Sequence, residues 1–295
     1  MYLAIDIGGT AIKYGLISDD GKITESYELP TQADKGGPAI LEKVLKIASE
    51  YHTKTQLAGV GISTAGMVNC ETGEIFYASP LIPQYIGINY KTAIETHFAI
   101  PCEVENDVNC AGLAESVFGV AQGTHSAVVI TVGTGIGGCM IVNNKVYHGF
   151  SNSACEIGYM YVDGDTRYER QGATSVMVER VASAKGESAA HWNGKKIFAA
   201  AKEGDADCIE AIDKMINVLV KGIANICYVV NPEMVVLGGG IMAQKEYLEP
   251  RINAALDKYM VSSLRHHTKL ALAQLKNQAG MLGAWYNFII RQEQQ

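Results

Sequence analysis

The 295-residue chain has only seven prolines and no low-complexity stretch, so no flexible linker is expected between its domains. Its seven cysteines (Cys70, Cys102, Cys110, Cys139, Cys155, Cys208 and Cys227) are scattered and odd in number, and none forms a C-x-x-C pair. That usage points away from a disulfide framework or a zinc motif and toward a reducing compartment. The seven histidines show no ligand spacing either; His266 and His267 read as cations at the negative end of a helix. There is no Lys/Arg cluster, and the formal net charge is −7. Nucleic acid and anionic membrane are therefore not expected as partners. No apolar run approaches the ~18 residues of a membrane span. The N-terminus has no basic or apolar leader region. A soluble, cytoplasmic protein is expected.

Glycine is plentiful, with 31 residues, several of them clustered. The segment "ITVGTGIGGCMIVNNKV" contains Gly133-x-Gly135-x-x-Gly138, the spelling of a dinucleotide-binding fingerprint. That fingerprint needs a helix after the turn, because the pyrophosphate rests on the helix N-terminus. Here the turn leads instead into Cys139 to Val142, then Asn143-Asn144, then Lys145 to Tyr147: strand, tight turn, strand. The dinucleotide reading fails in this context. The chain start, "LAIDIGGTAIKYGLISDDGKI", has the same order of apolar strand, glycine turn, apolar strand, Asp turn and third strand. The two copies begin about 125 residues apart and suggest two similar halves. Backbone N–H groups in such turns form anion nests, and two nests facing across a cleft would hold a polyphosphate. Two unrelated hairpins with flexible turns is the other reading.

The length allows two domains of ordinary size. In "GGPAILEKVLKIASEYH" the residues Ile40, Val44, Leu45, Ile47, Ala48 and Tyr51 share one helical face. Residues 57–63 and 100–106 read as buried strands, and 108–119 as a helix closing the first half. In the second half, 205–231 is the longest helix and is stopped by Pro232. Residues 233–242 read as strand, triple glycine and helix, 269–275 as a last strand, and 277–290 as a terminal helix. Hairpins first and strand–helix alternation later predict mixed α/β halves with partly antiparallel sheets. The expected boundaries are 1–118, completed by helix 278–295, and 119–277.

Several polar positions carry two readings each. Asp6, just before Gly8-Gly9-Thr10, either holds Mg²⁺ beside the phosphate nest or satisfies its own turn. Asn106-Asp107, between a strand and a helix, reads as a helix cap, or as a carboxylate able to take a hydroxyl proton. Gly238-Gly239-Gly240 permits close approach of a flat ligand, or tight strand–helix packing. Residues 63–75 form a polar loop compatible with substrate binding. Glu156 and Tyr159 either converge on a ligand or face solvent.

Seven segments then resemble a known family: "AIDIGGTAIKYGLI", "ISTAGMVN…TGEI", "VENDVNCAGLAE", "ITVGTGIGGCMI", "CEIGYM", "VVLGGGI" and "AGMLGAWY". Their order over nearly the whole chain is that of the ROK (repressor, open reading frame, kinase) sugar kinases, within the actin-like and hexokinase-like ATPase superfamily. The resemblance implies two RNase-H-like domains flanking a nucleotide and sugar cleft. It implies ATP and Mg²⁺, with Asp6, Gly8, Gly9, Thr10 and Lys13 in the first phosphate segment and Asp6 near the metal. Gly133, Thr134 and Gly135 match the second phosphate segment, and Gly238, Gly239 and Gly240 the adenosine loop. Gly66, Asn106, Asp107 and Glu156 match the sugar-binding set, with Asp107 as catalytic base. A homodimer with a small-molecule sugar substrate is also implied.

Two departures narrow the expectation. Tyr159 stands where the family usually has a zinc-ligating histidine, and no cysteine occurs between Cys155 and Cys208. No zinc is therefore expected, and Tyr159 would meet the sugar. The family's later sugar-binding glutamate matches Glu169 only if the register slips by one; otherwise Arg170 falls there. Members with this zinc-less pattern resemble β-glucoside kinases, which phosphorylate the 6-hydroxyl of cellobiose and related glucosides. Glucose or N-acetylmannosamine is the runner-up substrate. A non-catalytic sugar sensor is the reading from another class. Repressor relatives carry a helix-turn-helix before the first strand, for which a strand beginning at Tyr2 leaves no room.

Overall fold

Short turns between apolar strands at the chain start give an antiparallel meander of β1 (Tyr2–Ile7), β2 (Ala11–Ile17) and β3 (Ile23–Pro30). In the computed structural model, which describes residues 1–293, this meander opens the first of two compact units. Unit 1 comprises Met1–Phe118, Lys145–Ala154 and the described residues from Asn277 on. Helix α1 (Gly37–Lys54) has Pro38 in its first turn and buries Ile40, Val44, Ile47, Ala48 and Tyr51. Then come β4 (Gly59–Thr64), β5 (Met67–Asn69), β6 (Glu74–Tyr77), α2 (Tyr90–Phe98), β7 (Cys102–Asn106) and α3 (Asp107–Val117). The main sheet has the order β3-β2-β1-β4-β7, with β1, β4 and β7 parallel.

Every residue of β4 is buried, as expected of a central parallel strand covered on both faces. One cover is the helix Ala279–Gln292. It lies so close that Gly59 and Gly61 leave space for the Phe288 ring and the Ala284 backbone, while its own Gly283 sits against the Cys110 carbonyl. A side chain at any of these positions would push the layers apart. The helix expected over 278–295 is found over Ala279–Gln292; the expectation also covers Gln294 and Gln295, which lie outside the described residues. The expected polar loop at 63–75 is instead largely a hairpin. β5 pairs with β6 because Val68 and Ile75 face each other and are buried.

Unit 2 comprises Gly119–Asn144 and Cys155–Lys276. It opens with the antiparallel pair β8 (Ser126–Val132) and β9 (Ile136–Val142). After the turn at Asn143-Asn144 comes the short β10 (Lys145–Val146). Next come β11 (Tyr161–Asp163), β12 (Thr166–Arg167), α4 (Glu169–Gly172), α5 (Thr174–Lys185), α6 (Gly194–Lys202), α7 (Ala206–Val230) and β13 (Met234–Gly238). The chain continues through α8 (Lys245–Tyr259), α9 (Ser262–His267), β14 (Lys269–Leu272) and α10, the helix Ala279–Gln292 of unit 1. Strands β8, β13 and β14 are parallel. The order β9-β8-β13-β14 thus repeats β2-β1-β4-β7 of unit 1, and each unit is RNase-H-like.

Helix α7 is delimited as its sequence demands. Asp205 caps it by accepting the Cys208 N–H, and Asn231 ends it in the left-handed region before Pro232. The segment after Met160 is the β11–β12 hairpin with α4 behind it. Its anchor is Tyr168, fully buried, whose hydroxyl donates to the Leu219 carbonyl at 2.6 Å where Gly222 leaves room. No described helix is long and apolar enough to cross a membrane.

Candidate functional site

In unit 1, β1 ends by delivering Asp6 to the turn Gly8-Gly9-Thr10. The turn closes with Gly8 N–H on the Ala11 carbonyl, and Thr31 braces it by donating its hydroxyl to the Gly8 carbonyl at 2.6 Å. Gly9 and Thr10 are exposed. The Asp6 carboxylate accepts the Ser63 hydroxyl at 2.7 Å. Burial raises this carboxyl above its ordinary value, against the lowering effects of the Ser63 bond and the Lys13 charge. Lys13 reaches Asn277 at 3.2 Å. The first turn of α10 comes right up to Asp6: a side chain at Gly280 would overlap the carboxyl group.

The β7–α3 junction shows which residue caps the helix. Asn106 is the cap, its side-chain oxygen accepting Val108 and Asn109 N–H at 2.9 and 3.1 Å. Its amide also donates to the Gly66 carbonyl at 2.9 Å, tying this junction to the β4–β5 turn, where Gly66 has φ +95°. Asp107 is the first helical residue and accepts Val108 N–H at 2.9 Å. The capping role therefore falls one residue before the carboxylate.

Beneath this junction Glu105 is fully buried. Its Oε1 accepts Asn106 N–H at 2.8 Å and the Asn109 amide at 2.9 Å. Its Oε2 faces His148 Nε2 at 2.7 Å and Cys70 Sγ at 3.4 Å. Burial works to raise the Glu105 carboxyl, but the His148 hydrogen bond and charge, with the two amide bonds, hold it below its ordinary value. This Cys/Glu/His grouping was not read from the sequence.

In unit 2 the turn Gly133-Thr134-Gly135 closes with Gly133 N–H on the Gly135 carbonyl at 2.9 Å. The first residues of α5 brace it: Thr174 N–H donates to the Gly133 carbonyl, and the Ser175 hydroxyl to the Thr134 carbonyl at 2.6 Å. This turn borders a cavity of about 620 Å³, within the usual range for a small-molecule site. Trp192, Asn193, Lys195, Gly240 and Gln244 line it further. The Thr174 hydroxyl, also on its wall, is buried without a hydrogen-bond partner. The three glycines of the β13 turn divide between the two readings. Gly239, at φ +106°, lets the chain pass against the Val132 backbone, whereas Gly240 lines the cavity with open space before it.

Glu156 precedes a single 3-10 turn, Ile157–Tyr159. Burial first, and then the charge of Glu169, raise its carboxyl above the ordinary value. Glu169 opens α4, half-buried, with its carboxylate against Gly135, whereas Arg170 is exposed. The structure thus brings Glu169 toward Glu156. The Arg167 guanidinium stacks on the Tyr159 ring at 4.8 Å. Sequence reading missed Ser63, Thr174, Ser175, Trp192 and Asn193. Of these, Asn193-Gly194 alone carried a local signal, since Asn193 caps α6.

Known proteins resemble this chain along its whole length. The sequence model described as the ROK family matches residues 2–290. An uncharacterized protein of Clostridium perfringens is 48% identical over 98% of this chain and 97% of its own. A beta-glucoside kinase of Listeria monocytogenes is 32% identical over 97% of this chain and 96% of its own. A ROK family glucokinase from Streptomyces griseus, solved with glucose and AMPPNP, superposes with a TM-score of 0.83 at 26% identity, covering 96% of this chain and 97% of that one.

Proposed function

The chain belongs to the ROK family of sugar kinases, and on that premise we propose that it transfers the γ-phosphoryl group of ATP to the 6-hydroxyl of a β-glucoside such as cellobiose. The observation that carries the reading is the position of Asp107. It is held at the first turn of α3 while its neighbour Asn106 does the capping. A carboxylate placed beside the cap, and not serving as it, can take the proton of an attacking hydroxyl. The sugar oxygen then bonds to the γ-phosphorus, the bond to the bridging oxygen breaks, and ADP leaves. Gly66, Asn106, Glu156, Tyr159 and Glu169 would hold the sugar hydroxyls.

The glycine turns 8–10 and 133–135 would cradle the phosphates with backbone N–H groups. The cavity bordered by Gly240 suits an adenosine, and the unpartnered Thr174 hydroxyl would find a partner there. Asp6 fits Mg²⁺: it is a hard oxygen donor, largely desolvated and held in place by the Ser63 hydroxyl. When bound, Mg²⁺ would neutralise charge on the phosphates. Lys13 would add a further cation on the phosphate side. The loop after Tyr159 offers neither histidine nor cysteine, so the family's zinc has no ligands there.

The β-glucoside reading is supported by the 32% identity to a β-glucoside kinase and by that short loop. Glucose is the second reading, favoured by likeness to the glucose-bound glucokinase. One coupled ADP-release assay over glucose, cellobiose, aryl β-glucosides, mannose and N-acetylmannosamine tests both. Absence of ADP formation with every sugar would overturn the kinase reading in favour of a sensor.

A further inference from the structure

Outside the groups assigned to phosphoryl transfer, one cluster has the chemistry of a metal site. We propose that Cys70, Glu105 and His148 bind a divalent cation of zinc type, with a water molecule as fourth ligand. Three segments far apart in sequence deliver the donors: Cys70 just after β5, Glu105 on β7, and His148 just after β10. Cys70 Sγ, one Glu105 oxygen and His148 Nε2 all lie within 4.8 Å of one another.

The arrangement around Glu105 favours a cation over a plain hydrogen-bond network. Both N–H donors on this carboxylate, from Asn106 and Asn109, go to Oε1. Oε2 is left to meet the thiol and the imidazole together. A thiol is a weak hydrogen-bond donor, so burying one against a carboxylate adds little. As a thiolate it is a strong ligand for a borderline-soft cation, and imidazole and carboxylate complete a common zinc set. Thiolate, carboxylate and neutral imidazole balance a dication, so the filled site carries no net charge into the interior.

The distances are near those required. Tetrahedral zinc sets sulfur–oxygen and nitrogen–oxygen ligand spacings of about 3.4 to 3.6 Å. The Cys70–Glu105 spacing of 3.4 Å already matches, while the His148–Glu105 spacing of 2.7 Å is that of a hydrogen bond. On binding, the thiol proton and the His148 Nε2 proton leave to solvent, and His148 presents the freed Nε2 lone pair to the metal while a proton stays on Nδ1. His148 is the partly exposed member, with a quarter of its side chain accessible, so it can shift by the remaining fraction of an ångström and offers the entry path.

The proposal does not rest on the kinase reading, and its test avoids activity. The full chain is stripped with chelator, dialysed and titrated with Zn²⁺ against a chromophoric competitor; cobalt(II) is then substituted and its absorption recorded. One zinc per chain is expected, with affinity at least about tenfold weaker in both Cys70→Ser and His148→Gln. The cobalt form should show a thiolate-to-metal charge-transfer band that Cys70→Ser removes. If Cys70→Ser does not fold, the cobalt spectrum of the unmodified chain decides: the charge-transfer band supports the site, and a spectrum of oxygen ligands only overturns it. Failure of the chain to retain zinc, or equal affinity in the folded Cys70→Ser variant, also overturns it.

Discussion

Replacing Asp107 by Asn separates chemistry from structure, because the geometry fixes how small the structural loss should be. The α3 cap belongs to Asn106 and is untouched. The new amide oxygen can keep the bond from Val108 N–H now made at 2.9 Å. What disappears is one negative charge at the helix N-terminus, worth about 0.3 to 1 kcal/mol. In a chain of this size that lowers Tm by no more than about 4 °C. Loss of a general base removes about 10² to 10⁴ in rate, equivalent to about 3 to 5 kcal/mol. The two magnitudes do not overlap. A coupled ADP-release assay should therefore show kcat reduced at least about a hundredfold, while calorimetric sugar affinity stays within about an order of magnitude and the melting curve barely moves. Turnover within about tenfold of wild type would reduce Asp107 to an ordinary first-turn residue. A large fall in Tm would mean that the variant reports on α3 and not on proton transfer.

Three further outcomes are expected. Tyr159→Phe keeps the ring that Arg167 stacks on and removes only the hydroxyl; sugar binding should weaken by about 0.5 to 1.5 kcal/mol, and cellobiose should have a kcat/KM at least comparable to glucose, whereas exclusion of cellobiose in steady-state assays would refute an open aglycone side. Gly280→Ala pushes a methyl group into the Asp6 carboxyl; overpacking should destabilise by about 1 to 3 kcal/mol in denaturant titration, and KM for Mg-ATP should rise while sugar affinity is kept. Because the folded Glu156 carboxyl is raised above its ordinary 4.5 by burial and by Glu169, its contribution to stability is fully present below that value and is lost as pH rises through the folded value. Glu156→Gln should therefore stabilise the protein more at neutral pH than in acid, and a Tm difference between variant and wild type that does not change with pH would contradict this.

How much of the site was legible depends on how local each feature is. The glycine turns 8–10 and 133–135 were readable as turns between strands, because a tight turn writes its requirement directly into adjacent residues. The matching strand order of the two units came from their repeat. Ser63, Thr174 and Trp192 were not readable, because their roles depend on strands and helices meeting at long range. Cys70 lies 35 residues from Glu105, and His148 43 residues beyond it, so no spacing rule could have joined them. The hairpins at 67–77 and 161–167 were missed for a related reason: each strand is only two to four residues long, too short for alternation to register.

Where sequence reading stalled on a single residue, a one-position offset was the cause, and such offsets have physical consequences. The cap and the proposed base differ by one position at Asn106 and Asp107, finer than helix boundaries can be placed from sequence. At Glu169 and Arg170 one step along a helix turns a side chain by about 100°. That step decides which charge meets Glu156. A guanidinium there would favour the ionised carboxylate and draw its pKa down, whereas a second carboxylate adds to burial and raises it. In this fold Arg170 is exposed and Glu169 lies toward Glu156, so burial first, and then the Glu169 charge, raise the Glu156 carboxyl. Under the proposed function, two carboxyl groups held this close would meet sugar hydroxyls, each of which can donate to one of them and offset the burial.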